Sequence, residues 1–313
     1  MKDIVNKETD LTVVVTIYNS EQIIPILIDQ IKSNLNTLSI SYEIILVDDG
    51  SIDKSLLSIE LEAKKDNRVK SIVLSKNFGQ QICASAGINY AKGKYVLIMD
   101  GDLQNPPEEI PNLYKKISEG FDIVYTRSTQ KNDLIDSFTS FLFWNFLKKI
   151  LKINIVDSQL MMRIMTAEVV KHFNLYYEKT RTIAAITNDI GMKTHVLNIK
   201  NKKRIIGESN YNIKKRMNLA IDVILDLSQN PLNFIFNISL YGIIISIFLT
   251  FYYIYSYFTN KLLPGFTSTV ILIIFFGSIN LFGIGVIARY LSNIYLEVKK
   301  RPLYIVKKFI NFD

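Results

Sequence analysis

The chain has 313 residues, 49% of them apolar, and a formal charge of +8 from 37 Lys and Arg against 29 Asp and Glu. One cysteine, Cys83, and two histidines, His172 and His195, exclude a disulfide framework, a Cys-rich metal site and a His-based metal centre. Nucleic acid is not expected either. Much of the basic excess flanks uncharged runs, where attraction to anionic lipid is the simpler account, and no RNA- or DNA-binding motif occurs.

The start, "MKDIVNKETD", is polar and has no signal-peptide pattern. "LTVVVTIYN" then predicts a first strand and "SEQIIPILIDQIKSNL" a helix. "YEIILVDDGS" and "DKSLLSIELEAKK" repeat the pair, as do "VKSIVLSKNFG" and "QQICASAGINYAKG". "KYVLIMD" and "DIVYTR" are the fourth and fifth strands. This alternation predicts an α/β domain with a largely parallel sheet. Ligands of such sheets bind beyond the carboxyl ends of the strands. That rule puts Tyr18, Asn19, Asp48, Asp49, Asn77, Asp100 and Asp102 at one edge.

Further on, "DLIDSFTSFLFWNFLKKILK" and residues 212–227 carry apolar residues at helical spacing. Each reads equally as a core-facing helix or as one lying in a membrane interface. Residues 234–258 and 262–288 carry no charge, and each run is long enough to cross a hydrocarbon core of about 30 Å. They predict a transmembrane hairpin. Lys202, Lys203, Arg204, Lys214, Lys215 and Arg216 precede it, Arg289, Lys299, Lys300, Arg301, Lys307 and Lys308 follow it, and the intervening loop has only Lys261. The positive-inside bias therefore places the N-terminal domain and the C-terminal tail in the cytoplasm. The expected organisation is a catalytic domain over 1–211, a juxtamembrane amphipathic helix over 212–232, a hairpin over 233–288 (spans near 234–258 and 265–288) and a basic tail over 289–313.

The chemistry concentrates in "YVLIMDGDLQNPPEEI". An Asp-Gly hairpin would need a second strand, but "LQNPPEE" follows, and Asn105, Pro106 and Glu108 read as a helix start. In an extended chain residues i and i+2 share a side, so Asp100 and Asp102 can face one ligand, with Gly101 leaving room for close approach. Two carboxylates suit Mg²⁺ or Mn²⁺, whose shells are completed by water and substrate phosphates.

Together "TIYNS", "VDDGSID", "LSKNFGQQ", "MDGDLQNPPEEIP", "DIVYTR", "GESNY" and "RYLSNIYLEVKKRPLYIV" resemble family 2 glycosyltransferases of GT-A fold. Within that family the resemblance is to the polyprenyl-phosphate sugar transferases, above all the undecaprenyl-phosphate aminoarabinose transferases, and it covers nearly the whole chain. It implies a Rossmann-like nucleotide-diphospho-sugar transferase domain followed by the membrane hairpin. It also implies roles: Tyr18, Asn19 and Asp49 on the nucleotide, Asp100 near ribose and metal, and Asp102 as the direct metal ligand. Arg127 would contact phosphate or sugar. Arg204 and Ser209, in "RIIGESNY", would close over the donor diphosphate and the acceptor phosphate, a task that suits arginine's bidentate pairing. Arg163 would serve the same phosphates, and Asp157 is the acid of an Asp-x-x-x-Met-x-Arg pattern.

Three residues depart from the family pattern: Thr16 stands for a proline, Asn210 for a lysine, and Met161 for the acid two residues before Arg163. A base is scarcely needed, since a phosphate monoester acceptor is already anionic. The implied activity is inverting, metal-dependent transfer of one sugar, UDP-linked, to undecaprenyl phosphate. The site would be the cytoplasmic face of a bacterial inner membrane, in a homo-oligomer. A processive polysaccharide synthase would need a Gln-x-x-Arg-Trp motif, which Trp144 in "LFWNF" does not supply. The alternative is a catalytically weak scaffold that binds nucleotide sugar.

Overall fold

The computed structural model describes residues 9–129, 159–179, 182–200, 241, 248, 251–252, 255 and 266–312. Strands β1 (Leu11–Ile17), β2 (Tyr42–Asp48), β3 (Val69–Leu74) and β4 (Tyr95–Asp100) lie where the alternation predicts them. Between them run α1 (Ile24–Asn36), α2 (Ser55–Lys65) and α3 (Gln80–Tyr90). A 3-10 turn at Pro107–Glu109 leads into α4 (Ile110–Ser118), so the helix start read at "NPPEE" falls a few residues later. Then follow β5 (Ile123–Ser128), β6 (Gln159–Thr166), α5 (Ala167–Phe173), α6 (Ile183–Asp189) and β7 (Thr194–Ile199).

Consecutive residues of a strand face opposite sides of its sheet, and here both sides are covered. Val13 and Val15 of β1 pack with Ile24, Leu27, Ile28 and Ile31 of α1 and with Leu113 and Ile117 of α4. Val14 packs on the other side, with Cys83, Ala84 and Ala86 of α3 and with residues of α5 and α6. Two-sided burial explains why the middles of β1 and β4, Val13 to Val15 and Val96 to Met99, are continuously apolar rather than alternating.

Among the described residues the sheet has eight strands in the order β7-β5-β6-β4-β1-β2-β3-β8. The pairs β1–β2, β1–β4, β2–β3 and β5–β7 are parallel, whereas β6 runs antiparallel to both β4 and β5. The eighth strand, β8 (Val306–Ile310), pairs antiparallel with β3. The expected parallel core is present within a mixed sheet. The segment read as a basic tail contributes β8, and its two lysines suit the edge position, where charge discourages further pairing.

Residues 302–313 belong to the same compact unit as the sheet, and residues 211–301 to a second unit. In that second unit α7 (Phe266–Val298) runs 33 residues, past Arg289 and beyond the expected end of the second span. Within it Ile279–Val298 has a mean hydropathy of 1.2, and it is the one helix among the described residues long and apolar enough to cross a membrane. Of the first predicted span, Tyr241, Phe248, Phe251, Tyr252 and Tyr255 are helical and exposed, and the rest lies outside the described residues. The two amphipathic segments, at 133–152 and 212–227, lie outside them too.

Candidate active site

The carboxyl ends of β1, β2 and β4 finish level. Ile17 pairs with Asp48, and Thr16 pairs with both Val47 and Asp100. Four loops leave this edge, and each carries residues singled out from the sequence.

Tyr18 follows β1 and is 47% exposed, a ring free to stack on a planar ligand. Asn19 adopts φ 49°, a left-handed conformation that asparagine tolerates. Its Oδ1 accepts from the Ile52 N–H at 3.0 Å, and its own N–H donates to Ser51 Oγ at 3.0 Å. The Asn19 side chain therefore ties the β1 loop to the β2 loop. Gly50 allows a third loop to close in: at φ 68°, a Cβ there would lie 2.4 Å from the Lys76 carbonyl carbon.

Asp49 is buried, and its carboxylate accepts from the Phe78 N–H (2.7 Å) and the Gly79 N–H (2.9 Å). Burial raises its pKa, an effect opposed by those two donors. Asp48 is likewise raised, chiefly by burial. Any contact from Asp49 to a nucleotide would use the lone pairs that these loop bonds leave.

Asp100 ends β4. Its Oδ2 accepts from Asn105 Nδ2 at 2.9 Å, and its Oδ1 accepts from Gln80 Nε2. The chain then turns instead of continuing extended: the Gly101 N–H donates to Thr16 O at 3.1 Å, and Leu103 adopts φ 60°. The room at Gly101 is taken by the protein itself, since a Cβ there would sit 2.6 Å from Ile17 Cδ1 and 2.7 Å from Thr16 O. The side-by-side placement of the two aspartates therefore comes from a tight turn against β1 and not from strand alternation. Asp102 is half-buried, and its Oδ1 accepts from the Gln104 N–H at 3.0 Å. Burial, and next the Asp102 charge, push the Asp100 pKa up to about 6.

Arg163 lies on β6, its Cα opposite Ile98 of β4 and Tyr125 of β5. Its guanidinium is buried: Nε donates to Met161 O (3.1 Å), Nη2 donates to Leu160 O (3.0 Å), and Nη1 finds no partner among the described residues. Burial lowers its pKa to about 10, against the attraction of Tyr125 and Asp100. Arg127 is half-buried on β5, opposite Gln159 of β6 and Asn198 of β7. Asp157, Arg204, Ser209 and Asn210 lie outside the described residues.

A family model described as glycosyl transferase family 2 matches residues 12–175. The chain belongs to that family. Its similarity to individual relatives runs nearly end to end. An uncharacterized glycosyltransferase of Synechocystis is 34% identical over 301 residues, covering 95% of this chain and 94% of the relative. The undecaprenyl-phosphate 4-deoxy-4-formamido-L-arabinose transferase of Photorhabdus laumondii is 31% identical over 310 residues, covering 96% and 94%. Among solved structures, glucosyl-3-phosphoglycerate synthase from Mycobacterium tuberculosis, in complex with Mn²⁺, UDP and phosphoglyceric acid, is 16% identical. It superposes with a TM-score of 0.51 over 70% of this chain and 77% of that one, a likeness of fold alone.

This family 2 glycosyltransferase is thus a sugar-transferring enzyme. No three His, Cys, Asp or Glu side chains converge among its described residues, so its own share of any cation site at this edge would be the Asp100–Asp102 pair. That share is adequate for Mg²⁺ or Mn²⁺, which bind through one or two carboxylates plus water and substrate phosphates. Burial is the larger cause of the raised Asp100 pKa and the Asp102 charge the second, and a bound cation would offset that second cause. Sequence reasoning passed over Gln80 and gave Asn105 only a helix-start role. The available signal was the glutamine pair opening a helix just beyond the third strand, where side chains can reach the strand ends.

Proposed function

We propose that this glycosyltransferase moves a single sugar from a UDP-linked donor to polyprenyl phosphate, undecaprenyl phosphate in a bacterium, at the cytoplasmic face of the membrane. The observation that carries this reading is a carboxylate pair at the end of β4 together with a buried guanidinium on the neighbouring β6 whose Nη1 has no partner among the described residues. The pair would hold a divalent cation, which would neutralise diphosphate charge, and the guanidinium suits a phosphate. End-to-end similarity to undecaprenyl-phosphate formamidoarabinose transferases supports the lipid acceptor.

Tyr18, Asn19 and Asp49 hold the nucleotide, and Arg127 reaches its phosphates or the sugar. Asp100 and Asp102 hold Mg²⁺ or Mn²⁺, with Asp102 as the direct ligand; when bound, the cation neutralises charge on the departing UDP. Arg163, with Arg204 and Ser209, orients the acceptor phosphate and the diphosphate. An isolated buried charge is costly, and a phosphate would supply the partner that Arg163 Nη1 lacks among the described residues.

A phosphate oxygen forms its bond to the anomeric carbon on the face opposite UDP. The sugar–UDP bond breaks as it does so, and configuration inverts without a covalent enzyme intermediate. The nucleophile is anionic at neutral pH, so orientation matters more than proton removal. Asp157 is then a minor contributor. A homo-oligomer is expected.

The deciding experiment is UDP release by detergent-purified protein across a panel of UDP-sugars, with Mg²⁺ or Mn²⁺ and with or without undecaprenyl phosphate. Release that needs both the lipid and Asp102, with a glycolipid of matching mass, establishes the reaction and identifies the sugar. UDP binding without lipid-dependent release from any donor favours the nucleotide-sugar-binding scaffold instead.

A further inference from the structure

Asp100 is gripped from two sides by neutral amides that belong to different elements. The inner one, Asn105, is 2% exposed and stands in the bend between the Asp100–Leu103 turn and the 3-10 turn. Its Nδ2 reaches Asp100 Oδ2 at 2.9 Å. The outer one, Gln80, is exposed on the first turn of α3, twenty residues away in the chain, and its Nε2 donates to the other oxygen. A carboxylate bonded through both oxygens in this way has little freedom about its last torsion. Each oxygen still keeps lone-pair capacity for a further ligand.

We propose that Gln80 and Asn105 are positioning residues, a pair of amides that fixes the Asp100 carboxylate in the orientation that meets a divalent cation beside Asp102. The choice of amides is chemically pointed. Lysine or arginine in either place would bond Asp100 equally well, but its positive charge would repel the incoming cation. Aspartate or glutamate would compete for the cation and could not donate. An amide donates without either fault.

The neighbouring side chain shows that the direction taken by Gln80 is particular to it. Gln81, on the same turn of α3, points away from Asp100. Its Oε1 accepts from the Ile183 N–H at 3.0 Å, at the start of α6, and its Nε2 lies 3.8 Å from Met161 Sδ. Gln81 is tied to packing between elements, so it provides a matched control.

The inference rests on the metal role proposed for Asp100 and Asp102, and its test reads metal binding rather than turnover. Mn²⁺ binding to the full-length protein in detergent would be measured by electron paramagnetic resonance, with and without UDP, for the parent and for Gln80→Met, Asn105→Ala and Gln81→Met. Loss of a hydrogen bond to a charged group corresponds to about a tenfold weakening. Gln80→Met and Asn105→Ala should each weaken Mn²⁺ binding on that scale, with UDP affinity in EDTA unchanged. Gln81→Met should leave Mn²⁺ affinity alone. Thermal melting separates misfolding from the expected effect, and exposed Gln80 supplies the variant that cannot fail through lost core packing.

Parental Mn²⁺ affinity in Gln80→Met overturns the outer amide's role, and in a folded Asn105→Ala it overturns the inner one's. Equal loss of metal-free UDP binding would mean that these amides serve the nucleotide pocket, which also overturns the proposal. If the parent binds neither UDP nor Mn²⁺, the donor reading itself fails, a result distinct from the preceding ones.

Discussion

The Asp100–Asp102 turn has properties that single substitutions can isolate. Removing the metal ligand proposed above with Asp102→Ala should abolish nearly all lipid-dependent UDP release, whereas Asp157→Ala should lose only a modest part. Comparable losses would show that proton removal matters after all. Gly101→Ala forces a Cβ against Thr16 O and Ile17 Cδ1. It should cost about 1–3 kcal/mol in a denaturant melt, the scale of overpacking a close contact. The Asp100 pKa of about 6, above its ordinary 3.8, has two opposite consequences. Folding favours the neutral acid, so this group's contribution to stability is fullest below about pH 4 and is lost as the pH rises through about 6. Cation binding needs the carboxylate, so Mn²⁺ affinity should climb about tenfold per pH unit up to about 6 and then level off. Titrating Mn²⁺ binding between pH 4.5 and 8 would reveal that break.

Among the elements, the link between α2 and β3 carries its own test. Asp66 accepts a bidentate grip from Arg68 and lies 3.0 Å from Lys32 of α1. Arg68 beside it, with Lys32, holds the Asp66 carboxyl well below the usual carboxylate range. A depressed pKa stabilises the fold above the unfolded value near 4, and that stability is lost as the pH falls below it. Asp66→Asn should therefore lower stability by about 1 kcal/mol at pH 7, with the difference from the parent shrinking toward pH 2.

The same elements show what a sequence can and cannot disclose. Strands β1 to β5 were legible because burial on both faces writes short runs rich in β-branched and apolar residues between helical segments, and the helices because they carry a periodic stripe. Strand β6 interrupts its run with Arg163, and β8 places two lysines in five residues, so their pattern speaks of polarity while their pairing is decided by distant partners. Asp100 and Asp102 could be read from their position after a strand. The amides that hold Asp100 were harder to read: the glutamine pair opening α3 places side chains near the strand ends, but nothing local says that Gln80 or Asn105 meets Asp100, and the contact between α3 and β4 exists only after folding.

At the scale of the whole molecule, the last dozen residues complete the sheet that the first hundred begin. Lys308 Nζ lies 2.6 Å from Glu60 Oε1, and Asn311 Nδ2 donates to the carbonyls of Ala63 (2.7 Å) and Val69 (2.9 Å). Phe309 and Phe312 pack edge-to-face with Tyr90 of α3. Deleting residues 302–313 would strip the β3 edge and this aromatic cluster together. The shortened protein should melt several degrees lower, on the scale of about 2–4 °C per kcal/mol lost, and should aggregate through the bared edge. Scanning calorimetry with light scattering would follow both effects.

The pairing of β8 with β3 also acts as a counting rule. A strand cannot lie beside its partner across a bilayer, so the chain between Ile199 and Val306 must return to the side from which it left. An even number of passages, zero included, satisfies that rule, which is set by the hydrogen bonds of a sheet and not by any measure of hydropathy.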